Sequence, residues 1–136
     1  MNRAQQRRRG DLSLPPLLGI EADPSIADQA RANVAAAGLS GVIRICTGPF
    51  EAEALPEGLG VLVCNPPYGQ RIGDVQEIDA LYSAIGQYVR QAASGWQLWL
   101  LSGNPKLTGA LRLKASRRIP VSNGGIDCRW LQYEIR

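Results

Sequence analysis

The sequence has 136 residues, of which 45% are hydrophobic and 20% are charged, and its formal net charge is +3. These values fit one globular domain and exclude a chain that is disordered over most of its length. No apolar run approaches the roughly 18–20 residues that a membrane-spanning helix needs, so we expect no membrane segment.

Residues 1–16 are polar and basic, and we expect them to form a disordered tail before a catalytic domain at residues 17–136. Strands that alternate with helices imply an α/β fold of the Rossmann type, with a mostly parallel sheet, helices on both faces and an antiparallel hairpin at one edge. In chain order the patterns predict a strand at 17–21, a helix at 24–37, strands at 42–46 and 61–64, a helix at 75–93, a strand at 96–101, a short helix at 104–113 and strands at 116–121 and 128–135.

Local signals mark where several of these elements begin and end. Asp23 is the predicted N-cap of the first helix, with Pro24 at its first position and Gly38 after its end. Residues 61–64 form a continuous apolar run, which is typical of a strand buried on both faces. Residues 122–125, Ser-Asn-Gly-Gly, indicate the turn of the terminal hairpin.

The sequence contains no histidine and three cysteines. Without an imidazole, Ser-His and Cys-His nucleophilic mechanisms are excluded, and the common zinc hydrolase sites are disfavoured. Cys46, Cys64 and Cys128 are odd in number and widely spaced, a pattern that fits neither a disulfide framework nor a zinc site. We therefore expect buried, reduced cysteines, no metal ion and a cytoplasmic protein.

The most informative motif is Asn65-Pro66-Pro67-Tyr68, which directly follows a predicted strand. Ligands in open α/β sheets bind at the carboxyl ends of the strands. Consecutive prolines stiffen the backbone and leave carbonyl acceptors without N–H donors beside them, and the Asn65 side chain adds another acceptor. Two acceptors that face one point suit a planar amino group, such as the exocyclic amine of a base, and Tyr68 offers a ring on which that base stacks.

This motif predicts chemistry at an amine that requires no strong base. Holding both N–H groups in fixed directions favours the pyramidal nitrogen that attacks, so Asn65 and the Pro66 carbonyl would act as preorganised electrostatic groups. The alternative is a rigid turn at the end of a strand with Tyr68 as a packing residue, because Asn-Pro and Pro-Pro are ordinary turn formers.

The motif resembles the signature of class I amino-methyltransferases, and the wider sequence resembles the RlmL family of large-subunit ribosomal RNA guanine methyltransferases. The resemblance covers residues 17–136 and rests on the motif extended to Gly69-Gln70-Arg71, the helix at 75–93, Gly95-Trp96 and the segment Asn-Gly-Gly-Ile-Asp-Cys at 123–128. It implies a class I methyltransferase fold, S-adenosylmethionine as the cofactor, and methylation of the guanine exocyclic amine in ribosomal RNA.

The resemblance also implies a role for each site residue. Asn65, Pro66 and Tyr68 are expected to be catalytic, and the substrate base is expected to contact these three residues and Pro67. Glu21 matches the acidic residue that hydrogen-bonds the ribose hydroxyls of the cofactor, and Asn65 is expected to contact the cofactor as well.

The sequence departs from the family at two places. Pro49 stands where the family has an aspartate that contacts the cofactor's adenine amine, and proline has no side-chain acceptor. Residues 1–18 contain no glycine-rich strand and loop of the kind that holds the methionine end of the cofactor. We therefore expect a truncated domain that lacks its first strand, binds S-adenosylmethionine weakly alone, and depends on a partner chain for that strand and for an RNA-binding domain.

Two basic clusters, at positions 3–9 and 112–118, suit a phosphate backbone or simply form solvated surface. Two other functions therefore stay open beside ribosomal RNA guanine methylation. The first is methylation of a DNA adenine or a protein glutamine amide, which the same four residues serve in related enzymes. The second is a non-catalytic RNA-binding remnant that uses the arginine clusters.

Overall fold

The computed structural model describes residues 13–67 and 75–136. The predicted basic tail lies outside the described residues except for positions 13–16, and so does Tyr68. The chain divides into two compact units, one ending at Glu53 and the other beginning at Ala54. Within the described ranges, no helix has both the length and the apolar character that a bilayer crossing requires.

The N-terminal unit is a parallel strand-helix-strand unit. Its two strands pair in parallel over five residues each, and the helix provides the crossover that parallel strands require. Its elements are β1 (Leu17–Glu21), α1 (Pro24–Ala36), β2 (Ile43–Thr47) and a 3₁₀ turn (Phe50–Ala52). The predicted strands and helix are confirmed to within one residue at each end, and the 3₁₀ turn lies in a stretch predicted as loop.

Both ends of α1 follow the predicted signals. The Asp23 side chain accepts hydrogen bonds from the backbone amides of Ser25 and Ile26, and Pro24 occupies the first turn. Gly38 follows the helix with a φ of 70°, a conformation that glycine adopts without a steric penalty.

The C-terminal unit is a four-stranded mixed sheet with helices connecting its strands. The strand order is β3-β4-β6-β5, in which β3 and β4 are parallel and β6 is antiparallel to both of its neighbours. Its elements are β3 (Val61–Cys64), α2 (Val75–Ala92), β4 (Gln97–Ser102), α3 (Pro105–Thr108), a second 3₁₀ turn (Gly109–Leu111), β5 (Arg117–Asn123) and β6 (Ile126–Glu134).

The core of the C-terminal unit joins α2 to the sheet and to the second 3₁₀ turn. Its largest fully buried side chains are Tyr82, Val89, Leu98, Leu100 and Leu111. The close approach of α2 to the 3₁₀ turn depends on Gly86, since a β-carbon there would overlap the carbonyl oxygen of Leu111.

The terminal hairpin is tighter than the sequence predicts. Ser122 and Asn123 pair with residues of β6, so the turn consists only of Gly124 and Gly125. Their φ angles of 58° and 81° match a two-residue type I′ turn, whose twist fits that of the flanking strands.

Among the described residues the strands form two sheets, in which β1 pairs only with β2 and β3 pairs only with β4. One expectation about the sheet requires correction. The prediction that β3 is buried on both faces is wrong, because Val61 and Val63 are 56% and 66% exposed. Both side chains point to one face of an edge strand, and no layer of the described residues covers that face.

Candidate functional site

Residues Asn65, Pro66 and Pro67, here called the amine motif, lie at the carboxyl end of β3. Asn65 and Pro67 are exposed, whereas Pro66 is buried and anchors the turn between them. The hydroxyl of Tyr82, in the middle of α2, donates a hydrogen bond of 3.3 Å to the Pro67 carbonyl oxygen. The turn is therefore fixed from two sides while the asparagine side chain stays at the surface.

The position of Asn65 agrees with the role predicted from the sequence but does not test it. Its carboxamide is not drawn into the core, and within residues 13–67 and 75–136 the structure gives it no hydrogen bond. The side-chain oxygen is thus open to an N–H donor. The Pro67 carbonyl already accepts from Tyr82, which leaves the Asn65 oxygen and the Pro66 carbonyl as the acceptors to consider.

Cys64 immediately precedes the amine motif and is an inert neighbour. Burial raises the pKa of its thiol from 9.0 to about 11, so the group is a neutral thiol at physiological pH. Because the thiolate is the nucleophilic form of cysteine, this residue does not supply a nucleophile. All three cysteines are free, as predicted, although only Cys128 is fully buried.

Glu21 ends β1 in the N-terminal unit, and its carboxylate is oriented by the turn that follows. One carboxylate oxygen accepts a 2.9 Å hydrogen bond from the backbone amide of Asp23. The backbone carbonyl of Glu21 accepts from the amide of Gly48, which ties the end of β1 to the end of β2. The second carboxylate oxygen has lone pairs that suit hydroxyl donors such as those of a ribose.

Asp23 is a helix cap, as the sequence predicts. One oxygen of its carboxylate accepts from the Ser25 hydroxyl at 2.7 Å, from the Ser25 amide at 2.8 Å and from the Ile26 amide at 3.3 Å. The Ser25 hydroxyl and then the two backbone amides hold the pKa of this carboxyl below its usual value. The carboxylate therefore stabilises the start of α1 in its ionised form.

Pro49 remains a departure from the expected cofactor site. It is exposed and precedes the 3₁₀ turn that begins at Phe50, and its ring carries no hydrogen-bonding atom. Proline at this position therefore supplies no side-chain acceptor for an adenine amine, and the role of Glu21 as the ribose partner stays a prediction. The residues described here fit part of the cofactor only.

The sequence-predicted site residues fall in both units. Glu21 belongs to the N-terminal unit, and Asn65, Pro66 and Pro67 belong to the C-terminal unit, where the chain brings them together. Tyr82 lies within the helix predicted at 75–93, and its hydrogen bond to Pro67 was not predicted from the sequence. The sequence did contain a signal for this bond. A tyrosine among aliphatic core residues of a helix is expected to find a hydrogen-bond acceptor for its hydroxyl. Among the described residues, no group of three His, Cys, Asp or Glu side chains could hold a metal ion.

Comparison with known proteins identifies the family. Residues 1–132 match a family model described as RMKL-like, methyltransferase domain. The ribosomal RNA large subunit methyltransferase K/L of Syntrophotalea carbinolica is 36% identical over 140 residues, which cover 99% of this chain and 20% of that protein. Its namesake in Stutzerimonas stutzeri is 35% identical over 137 residues, covering 97% of this chain and 19% of that protein. The chain thus spans about a fifth of the length of these relatives.

Two solved structures share the fold. SMU.472, crystallised in complex with SAH, superposes with a TM-score of 0.88 at 24% identity, covering 98% of this chain and 35% of that one. TrmN from Thermus thermophilus gives a TM-score of 0.74 at 20% identity, covering 89% of this chain and 36% of that one. The α/β fold predicted from the sequence is confirmed. The chain belongs to the RMKL-like methyltransferase domain family.

Proposed function

We propose that this chain forms the amine-binding part of an S-adenosylmethionine-dependent methyltransferase whose substrate is a guanine exocyclic amine in large-subunit ribosomal RNA. The observation that carries the proposal is the exposed Asn65 at the carboxyl end of β3, on a turn anchored by buried Pro66 and by the Tyr82 hydroxyl. Such a rigid pair of acceptors suits an NH₂ group because each acceptor takes one of its two hydrogens.

The proposed chemistry needs only orientation and electrostatics from the protein. S-adenosylmethionine supplies a methyl group bonded to a positively charged sulfur, which keeps the bonding electron pair when the methyl leaves. The Asn65 oxygen and the Pro66 carbonyl accept from the amine, holding its lone pair toward the methyl carbon and stabilising the positive charge that develops on nitrogen. The extra proton then passes to water, which is consistent with a sequence that has no histidine.

The surrounding residues have supporting roles in this proposal. The ring of Tyr68 stacks on the base, and Pro67 contacts the substrate while its carbonyl stays bonded to Tyr82. The Glu21 carboxylate binds the ribose hydroxyls of the cofactor through the oxygen that Asp23 does not occupy. Asn65 also contacts the cofactor, since the methyl group and the amine must meet within a few ångströms.

RNA is favoured as the substrate by the names of the relatives, which are ribosomal RNA large subunit methyltransferases. Ribosomal RNA is accordingly the proposed partner. Because the chain spans about a fifth of those proteins, the proposal assigns it the amine site and assigns RNA capture largely to other polypeptide. A DNA adenine, a protein glutamine amide and a non-catalytic role remain the outcomes against which the proposal is tested.

The test is transfer of tritium from methyl-labelled cofactor, at the highest practical cofactor concentration. Unmodified large-subunit ribosomal RNA, DNA and a protein release factor are offered in parallel, and labelled RNA is digested to nucleosides. We expect label in RNA alone, as guanosine methylated on its exocyclic amine. Label confined to DNA or protein would contradict the proposal. RNA retention that weakens steeply with salt, without transfer to any substrate, would favour the RNA-binding remnant.

A further inference from the structure

A cavity of about 930 Å³ lies within the C-terminal unit, between the terminal hairpin and α3. It is within the size range of pockets that hold small ligands, and it is open to solvent along the hairpin. Its wall includes Pro105, Leu113, Pro120 and Leu131. Its polar lining comes from Ser102, Thr108, Arg118, Asp127, Arg129 and Tyr133. We call this feature the hairpin cavity.

The register of the sheet places the hairpin cavity beside the amine motif. Cys64 of β3 lies opposite Leu100 of β4, and two residues further along β4, Ser102 lies opposite Arg129 of β6. Because β3 and β4 are parallel, the residue two positions after Cys64, which is Pro66, lies level with Ser102. Adjacent strands are ~4.8 Å apart, so the backbone of Arg129 lies about 10 Å from the line of β3. The cavity therefore opens at the sheet edge where the proposed reaction takes place.

Tyr133 links the cavity to the strand that carries the motif. Its side chain lines the cavity, and its residue is 2% exposed. Burial raises the pKa of the phenol, Arg118 opposes this shift and Cys64 adds to it. Tyr133 lies opposite Leu98 of β4, whose partner on the other side is Leu62 of β3, so the tyrosine is two strands away from the strand that carries the motif.

The charges of the cavity fit a chain of phosphates. Arg118 of β5 lies opposite Leu131, and Arg129 of β6 lies opposite Pro120. The two arginines are therefore separated by two residues, or about 7 Å, along the strand direction. Both side chains are exposed and line the same cavity. Guanidinium groups bind phosphate oxygens through paired N–H donors, which makes arginine suited to this task.

We infer that the hairpin cavity binds the RNA strand next to the target nucleotide, with Arg118 and Arg129 contacting its phosphates. The inference rests on the proposed function and specifies where the substrate strand runs. Asp127 lies at the turn end of the cavity, opposite Ser122 and two residues before Arg129 on β6, so Arg118, which lies opposite Leu131, is the arginine farther from this carboxylate. The strand then runs from Arg118 past Arg129, which lies opposite Ser102, toward the amine motif.

The neighbouring residue Arg117 provides a matched control. It has the same charge, belongs to the same strand and is also exposed, but it does not line the cavity. Successive residues of a strand point to opposite faces, so Arg117 and Arg118 differ mainly in the face that they occupy. A diffuse attraction between a basic strand and RNA would use both arginines, whereas a strand seated in the cavity uses only Arg118.

The experiment measures binding of a fluorescein-labelled, single-stranded RNA of mixed sequence by anisotropy over a series of salt concentrations. The proteins are the full chain and its Arg118→Ala, Arg129→Ala, Arg118→Lys and Arg117→Ala variants, each checked for an unchanged unfolding transition. We expect the slope of log K against log salt to fall by about 0.7 in Arg118→Ala and in Arg129→Ala, as for the loss of one phosphate contact. At 0.1 M salt this slope change corresponds to roughly fivefold weaker binding. Arg118→Lys should keep most of the slope, because it retains the charge, and Arg117→Ala should match the parent chain.

Two results would overturn the inference: an unchanged slope in both cavity variants, or an equal loss in Arg117→Ala. Methyl transfer is assayed separately, so the two proposals can fail independently. Transfer to RNA that is unaffected by Arg118→Ala and Arg129→Ala, with unchanged binding, would reject the cavity and keep the proposed function. Binding that depends on the cavity arginines, without transfer of label to RNA, would support the strand path and reject the activity.

Discussion

If Asn65 has the proposed role, its removal lowers the rate of methyl transfer more than it weakens RNA binding. Asn65→Ala deletes an acceptor that is needed most when positive charge develops on the amine, so we expect a loss of about 2–4 kcal/mol of transition-state stabilisation. The measurement is kcat/KM for tritium transfer to RNA. Asn33→Ala, an exposed change on α1, is the control and should leave the rate unchanged. A near-parental rate for Asn65→Ala would refute the assigned role.

Cys64 gives the site a pH-dependent property that can be measured without substrate. Its folded-state pKa of about 11 lies above the unfolded value near 9.0, so the thiol's contribution to stability is complete below pH 9 and is lost as the pH rises toward 11. We expect Cys64 to be alkylated by iodoacetamide more slowly than a free thiol at mildly alkaline pH, as followed by peptide mass spectrometry. Alkylation as fast as that of glutathione would show that the thiol is not buried.

At the scale of elements, the contact between α2 and the second 3₁₀ turn depends on one missing side chain. Gly86→Ala would push a methyl group into the Leu111 carbonyl oxygen, which also accepts a 2.6 Å hydrogen bond from Arg90. Overpacking of this kind costs about 1–3 kcal/mol, and we expect a loss of that size in the free energy of unfolding, measured with urea.

Gly109→Ala is the control for this substitution. Gly109 has helical angles, with φ −59° and ψ −32°, and no atom beyond its chain neighbours and the adjacent helix backbone lies within 4 Å of the position that its β-carbon would take. An alanine there should stabilise the chain by about 0.4–1 kcal/mol, because it restricts the unfolded state. Equal effects of the two substitutions would mean that the Leu111 contact does not decide the packing of α2.

Most elements could be predicted because their signals are local. The cap at Asp23, the proline after it and the glycine at the end of α1 act through neighbouring residues, and the structure keeps them. The burial of β3 could not be predicted from the sequence. An apolar run shows that a strand can be covered on both faces, but it does not show whether other elements cover them. Val61 and Val63 show this difference, since their neighbours in sequence are just as apolar.

At the scale of the molecule, the chain offers only part of a cofactor site. In the proposed function the Glu21 carboxylate binds the ribose, whereas Pro49 has no side-chain acceptor for the adenine amine. We expect S-adenosylmethionine to bind with a Kd weaker than micromolar, corresponding to less than about 8 kcal/mol of binding free energy. Calorimetric titration measures this affinity, and Glu21→Gln should weaken it further. Micromolar binding by the chain alone would contradict the expectation.

The candidate site could be predicted only in part, because a sequence pattern reports neighbouring residues and not contacts between distant segments. The amine motif and Tyr68 are consecutive in sequence, so pattern reading finds them, and the role predicted for Glu21 follows from the family resemblance. The hairpin cavity joins Ser102, Arg118 and Arg129 from three strands that register alone brings together. Likewise, the bond from Tyr82 to Pro67 spans 15 residues and depends on how α2 packs.

The place of β6 in the sheet has a consequence for how the protein is made. β6 lies between β4 and β5 although it follows both of them in sequence. A nascent chain that has emerged only as far as Asn123 therefore exposes one edge of β4 and lacks β6, the strand with which β5 pairs in the described residues. Synthesis proceeds from the N-terminus, so the ladder closes only after Ile126–Glu134 has left the ribosome. Until then, the apolar residues of β4 are accessible to chaperones and to other unfinished chains.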